Sequence, residues 1–134
     1  MGVGKTMIVA GIGSRKGVSK EQVLGAISAA LGAHDLDLAH LDALATGKLK
    51  QHEMAIFEAG RQLRRAVIII GDAELAEAGK RTKSHSALSL EKTGAPSLSE
   101  AAALAAAGPD SRLLGPRIAF EAVTCAIAIS GDKA

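Results

Sequence analysis

The stretch Met7-Ile8-Val9-Ala10-Gly11-Ile12-Gly13-Ser14-Arg15-Lys16-Gly17 decides how this chain is read. Met7 to Gly11 is apolar throughout, as strands covered on both faces are. Gly11 to Gly17 follows as a glycine-rich turn carrying Arg15 and Lys16, and Ser19 with Gln22 then forms an S-x-x-Q capping box that opens a helix. Strand, turn and helix in that order aim backbone N–H groups and a positive helix end at an anion. Gly11, Gly13, Ser14, Arg15, Lys16 and Gly17 are therefore the first candidate binding residues.

The nature of that anion is narrowed by spacing. The pattern G-x-G-x-x-x-G departs from the dinucleotide fingerprint G-x-G-x-x-G, and no acidic strand end follows about twenty residues on to hold a ribose. Gly2-Val3-Gly4-Lys5-Thr6 copies the end of a P-loop but lacks its preceding strand and first glycine, so a nucleoside triphosphate is not expected either.

Outward from this stretch, strand-like and helix-like segments alternate. Val23, Leu24, Ile27 and Leu31 give the first helix its apolar face. Leu36 to Leu44 reads as a short helical segment, Ala45-Thr46-Gly47 as an extended piece and turn, and His52 to Leu63 as an amphipathic helix. Ala66 to Ile70 is apolar at every position and is expected at the centre of the sheet. Asp72 is expected to cap a short helix through Leu75, and Gly79 to Ser86, without periodicity, to be a mobile loop whose residues 80–86 are a candidate lid. After the Gly94-Ala95-Pro96 turn, Ser97 and Glu100 form a second capping box before an Ala-rich helix ending near Gly108. Arg112 to Leu114 and Thr124 to Ile129 close the pattern as two strands, paired as a hairpin across Pro116 to Glu121. The expected fold is one α/β domain over residues 1–134, three-layered α/β/α, around a mostly parallel mixed sheet of about five strands. Ligands on such sheets sit where strand C-termini meet helix N-termini.

Composition excludes several functions. With two Phe and no Trp or Tyr, the chain lacks the stacking platforms of single-stranded nucleic-acid binders. A net charge of +2 predicts neither nucleic-acid nor membrane binding, and no apolar run approaches membrane-spanning length. A cytoplasmic location is expected, with the lone Cys125 as a buried structural thiol. His34, His40, His52 and His85 show no metal-ligand spacing, so no metal and no cofactor is expected. No nucleophile elbow and no carboxylate pair is written in the sequence.

Two more segments suit an anion. Thr46-Gly47-Lys48-Leu49-Lys50-Gln51-His52-Glu53 places a hydroxyl, two lysines and an acid ahead of a helix, and the helix opening at Ser97 can receive a carboxylate as well as cap itself.

Taken together, Gly11 to Gly17, Ala45-Thr46 to Glu53 and Gly94-Ala95-Pro96-Ser97-Leu98-Ser99-Glu100-Ala101-Ala102-Ala103-Leu104 resemble the CobE/CbiG C-terminal domain family of cobalamin (vitamin B12) biosynthesis. There the corresponding motifs read like G-I-G-C/S-R-R/K-G, L-A-T-x-x-L-K-x-x-E and G-V-P-S-V-A-E-A-A-A-L. Near the C-terminus, where relatives look like L-x-x-P-K, this chain has Leu114-Gly115-Pro116-Arg117, which keeps the positive charge. The resemblance implies a stand-alone, CobE-like protein that binds a corrin-ring precursor, a precorrin or hydrogenobyrinic-acid-like tetrapyrrole, for sequestration or handover to other pathway enzymes. The alternative it implies is an enzyme, a hydrolase or isomerase related to the cobalt-precorrin-5A lactone-opening step, with Glu53 or Glu100 as the proton-transfer group. Such precursors carry acetate and propionate arms. Arg15 can fork onto one, with Lys16, Lys50 and Arg117 as point charges, Ser14, Thr46 and Ser97 as hydroxyl donors, and Gly94 completing the set.

Overall fold

The computed structural model describes residues 6–48, 53–83 and 97–131. Strand β1 spans Ile8–Ser14 and leads through Arg15 to Gly17 into helix α1, Lys20–Ala33. A single 3-10 turn at Leu38–His40 precedes β2, Ala43–Gly47. Then come α2 (Met54–Leu63), β3 (Ala66–Ile70), α3 (Asp72–Ala78), a 3-10 turn at Gly79–Arg81 and α4 (Leu98–Ala107). The chain finishes with β4 (Arg112–Leu113), β5 (Ile118–Phe120) and β6 (Val123–Ile129).

The six strands form one sheet in the order β3-β2-β1-β6-β4, with β5 also on β6. β1, β2 and β3 are parallel, whereas β6 runs antiparallel to β1, β4 and β5. Helices α1 and α2 cover one face and α3 and α4 the other, which makes the expected three layers. No described helix is long and apolar enough to cross a membrane.

Several local expectations are corrected. β1 continues three residues past Gly11, so Gly11 and Gly13 lie within the strand, and the turn proper is Arg15 to Gly17, with Gly17 at φ +79°. A pairing partner explains the difference, because β6 matches β1 residue for residue from Ile8↔Ile129 to Ser14↔Val123. Most of Leu36 to Leu44 is not helical. Asp37 and His40 cap only one 3-10 turn, and Ala43 already belongs to β2. β3 lies at an edge of the sheet rather than its centre, and its apolar residues from Val67 to Ile69 are half-buried. α3 runs on to Ala78 with Gly71 as its N-cap residue, and Gly79–Arg81 is a 3-10 turn. Residues 84–86 of the expected loop lie outside the described residues. The C-terminal hairpin joins β5 to β6 through Glu121, at φ 55°, while β4 pairs with the far end of β6.

The two helical layers are built differently. Val23, Ile27, Leu31 and Ile56 interlock with Ile12, Leu44 and Ile127 on the α1 side. On the other side α4 offers Ala101, Ala102 and Ala103, and it lies so close to β1 that a Cβ on Gly11 would sit 1.9 Å from the Ser99 carbonyl oxygen. Gly11 is thus a close-approach glycine.

Candidate functional site

The first turns of α1 and α4 meet at the C-terminal end of β1, one on each side of the sheet. This follows from register. β1 and β2 pair in parallel as far as Gly11↔Ala45 and then part, β1 continuing beside β6 to Ser14 and β2 continuing beside β3 to Gly47. Across the parting, the Thr46 hydroxyl, fully buried, donates to the Ile12 carbonyl at 2.8 Å. The C-terminal ends of β1 and β2 therefore part at the end of the sheet, the strand C-termini, at which open α/β folds bind ligands.

The turn before helix α1 sets two cations at this end of the sheet. The helix N-terminus carries the predicted capping box, Ser19 Oγ accepting from the Gln22 N–H at 3.1 Å and Gln22 Oε1 from the Ser19 N–H at 2.9 Å. Ahead of it Arg15 and Lys16 are exposed, and neither makes an ion pair among the described residues. The Arg15 N–H donates to the Ala122 carbonyl at 3.1 Å, and Gln22 Nε2 holds Glu121 Oε1 at 2.8 Å, so the turn is braced on the β5–β6 hairpin.

Helix α4 supplies the other wall. Ser97 is its N-cap residue but caps with its backbone only, which corrects the expected capping box. Its hydroxyl instead accepts from Arg117 Nη1 at 3.3 Å. Glu100, the expected capping partner, is fully buried and accepts the Lys83 N–H on one carboxylate oxygen and the Arg117 N–H on the other, each at 2.8 Å. One carboxylate thus ties the segment after α3 and the segment before β5 to the first turn of α4, and it sets Arg117 beside Ser97.

Two buried hydroxyl oxygens, Ser14 Oγ and Ser99 Oγ, have no hydrogen-bond partner among the described residues. Ser14 follows Ile12 by two positions, so it faces the α1 side of β1. Ser99 is on the α4 side, its N–H over Gly13 and its carbonyl over Gly11, and helical side chains tilt toward the N-terminus, which directs this hydroxyl to the end of β1. An unsatisfied buried hydroxyl costs about 1–3 kcal/mol.

The structure therefore brings together Gly13, Ser14, Arg15, Lys16, Gly17, Thr46, Ser97 and Arg117 at one end of the sheet, with exposed Lys48 after β2. Gly11 lies deeper, under α4. Glu53 is the N-cap residue of α2 and makes no side-chain cap bond. Lys50 and Gly94 lie outside the described residues. Sequence reasoning passed over Ser99 and Thr124, whose hydroxyl donates to the Gly13 carbonyl at 3.3 Å. The signal for Ser99 was its place two residues past Ser97 in a helix start already read as anion-facing. No group of three or more His, Cys, Asp or Glu among the described residues could hold a metal ion. Cys125 is buried in β6, and burial pushes its thiol pKa up.

The family model described as cobalamin synthesis G C-terminus matches residues 8–128. Among solved structures, the chain is similar to CobE, a protein from the cobalamin (vitamin B12) biosynthetic pathway, with a TM-score of 0.90 and 34% identity over 96% of this chain and 94% of that one. It is 40% identical to the cobalamin biosynthesis protein chiG from Agrobacterium tumefaciens str. C58, with a TM-score of 0.76 over 94% of this chain and 100% of that one. A putative cobalamin biosynthesis protein G homolog from Sulfolobus solfataricus shares the fold, with 21% identity, a TM-score of 0.67 and coverage of 93% of this chain but 37% of that one. No curated protein sequence matches the chain. The chain belongs to the cobalamin synthesis G C-terminal family of cobalamin biosynthesis proteins.

Proposed function

We propose that this protein binds an anionic corrin-ring precursor at the C-terminal end of β1 and β2 and sequesters it or hands it to a neighbouring pathway enzyme in the cytoplasm. The observation that carries the reading is the convergence of Arg15, Lys16, Lys48 and Arg117 with two helix N-termini and two hydroxyls unpartnered among the described residues at one sheet end. A corrin precursor displays several carboxylate arms around a broad ring, and cations spread over separate loops suit that display better than one deep pocket does. Arg15 engages a carboxylate in bidentate fashion, Lys16 and Lys48 act as mobile point charges, and the first-turn N–H groups of α1 and α4 receive anionic oxygens. Ser14 and Ser99 donate to arms that reach the strand end. Having few aromatic residues, the chain grips the ring at its edge.

The catalytic alternative gains nothing from Glu100, whose two oxygens already accept backbone N–H groups in a fully buried position. That carboxylate positions Arg117 for the ligand.

The test is an absorption titration of the purified protein with hydrogenobyrinic acid. Binding is expected to perturb the corrin spectrum, and Arg15→Ala and Arg117→Ala each to weaken it by about tenfold, the scale of one charge-assisted hydrogen bond. An unperturbed spectrum, or wild-type affinity in both variants, contradicts the reading.

A further inference from the structure

Within the edge strand β3 itself, none of its residues is of a kind that keeps an edge from pairing. Ala66-Val67-Ile68-Ile69-Ile70 carries no charge, no proline and no bulge, Ala66 is exposed, and Val67 to Ile69 are half-buried. It pairs with β2 on one side, and no described strand pairs with the other.

The charges at its two ends are of opposite sign. Before β3, an open pocket of about 430 Å³ is lined by Phe57, Arg61, Arg64, Arg65, Ala66 and Val67. Arg65 is committed within the chain, its guanidinium donating to the carbonyls of Leu41, Leu63 and Leu38. Arg61 and Arg64 are exposed and make no ion pair among the described residues. Arg64 also holds φ 59° as the residue that ends α2, a position that favours glycine, so an arginine stands there against the preference of the backbone. After β3, α3 begins with Asp72 and Glu74, both exposed and likewise without an ion pair among the described residues.

We propose that two copies of this chain join through β3, edge to edge and antiparallel, about a twofold axis at Ile68. Antiparallel pairing centred there sets Ala66 opposite Ile70 of the second copy, and Val67 opposite its Ile69, which makes aliphatic cross-strand pairs. It also sets Arg64 toward the second copy's Asp72 twice over, once at each end of the ribbon, because an isologous interface repeats every contact. Arg61 and Glu74 extend the same complementarity. A basic start and an acidic end on one strand are self-complementary only in the antiparallel sense, and this selects a second copy over an unrelated partner. The pairing is independent of ligand binding at the end of β1, and corrinoid affinity is not its readout.

Sedimentation velocity across a concentration series reaching the millimolar range tests it. The protein is expected to show a monomer–dimer equilibrium, with the Val67 to Ile69 amides gaining hydrogen-exchange protection as concentration rises. Arg64→Gly suits the backbone at φ 59°, so it keeps the chain folded while weakening the dimer by about tenfold, the upper range for two exposed ion pairs. Arg64→Asp is expected to weaken it further, and Arg64→Asp combined with Asp72→Arg to restore it. A monomer at every concentration, a dimer indifferent to Arg64→Asp, a swap that fails to restore it, or a dimer whose β3 amides stay unprotected overturns the proposal.

Discussion

The α1 side of the sheet is filled by Ile12, Val23, Ile27, Leu31, Leu44 and Ile56, whereas on the α4 side Ala101, Ala102, Ala103, Ala126 and Ala128 gather around Gly11, with Leu98 and Leu104 of the same helix beside them. The first is a layer of interlocking side chains. The second is a helix laid almost on strand backbone. Small residues give up apolar area, and what they gain is position, because a helix this close presents its first turn at the level of the strand end. Ser97, Ser99, Glu100 and, through Glu100, Arg117 are held at that level for this reason. Large side chains on α4 would lift all of them away.

Opposite substitutions on the two faces separate these roles. On the α1 side, Ile56→Ala is expected to lower unfolding free energy by about 2–5 kcal/mol through the cavity it leaves, measured by denaturant titration with an unchanged m-value. On the α4 side it is the added atom that harms. Gly11→Ala forces a methyl against the Ser99 carbonyl and is expected to cost about 1–3 kcal/mol, with α4 amide resonances shifting as the helix moves off the strand. Equal tolerance of Gly11→Ala and of a surface change would break the comparison.

A third change acts on the join between α4 and the site. Glu100→Leu leaves the Lys83 and Arg117 N–H groups without their acceptor, so a loss of about 1–3 kcal/mol is expected, with weaker corrinoid binding than in Glu100→Gln, which keeps one acceptor. Affinity equal to wild type in Glu100→Leu would mean that Arg117 has no part in binding. The smallest stability effect is expected for Arg15→Ala, within about 0.5 kcal/mol because the side chain is exposed and unpaired among the described residues, so any affinity it loses belongs to the ligand. Cys125, buried in β6, should resist thiol reagents until the chain unfolds.

Periodic elements were legible in the sequence. The α1 capping box, the amphipathic α2 and the apolar β3 lie where local pattern placed them. Features set by distant partners were not. β1 outlasts its expected end because β6 pairs with it, β3 reads as central because an open edge leaves no mark in an apolar run, and Ser97 with Glu100 reads as a capping box because spacing cannot show the Lys83 and Arg117 amides reaching the carboxylate first. The site shows the same division. Arg15 and Lys16 are visible as charges in a glycine turn. The parting of β1 from β2 and the unpartnered Ser99 hydroxyl exist only once the sheet is assembled.

The central claim, that the ends of β1 and β2 hold an anionic corrin precursor, is tested most directly by following backbone amide resonances during addition of hydrogenobyrinic acid. The account predicts shifts at Ser14 to Lys20, at Thr46 to Lys48, at Leu98 to Glu100 and at Arg117, with Arg61 to Val67 at the opposite end of the sheet unchanged. Shifts confined to Arg61 to Val67, or no shifts at all, would contradict it.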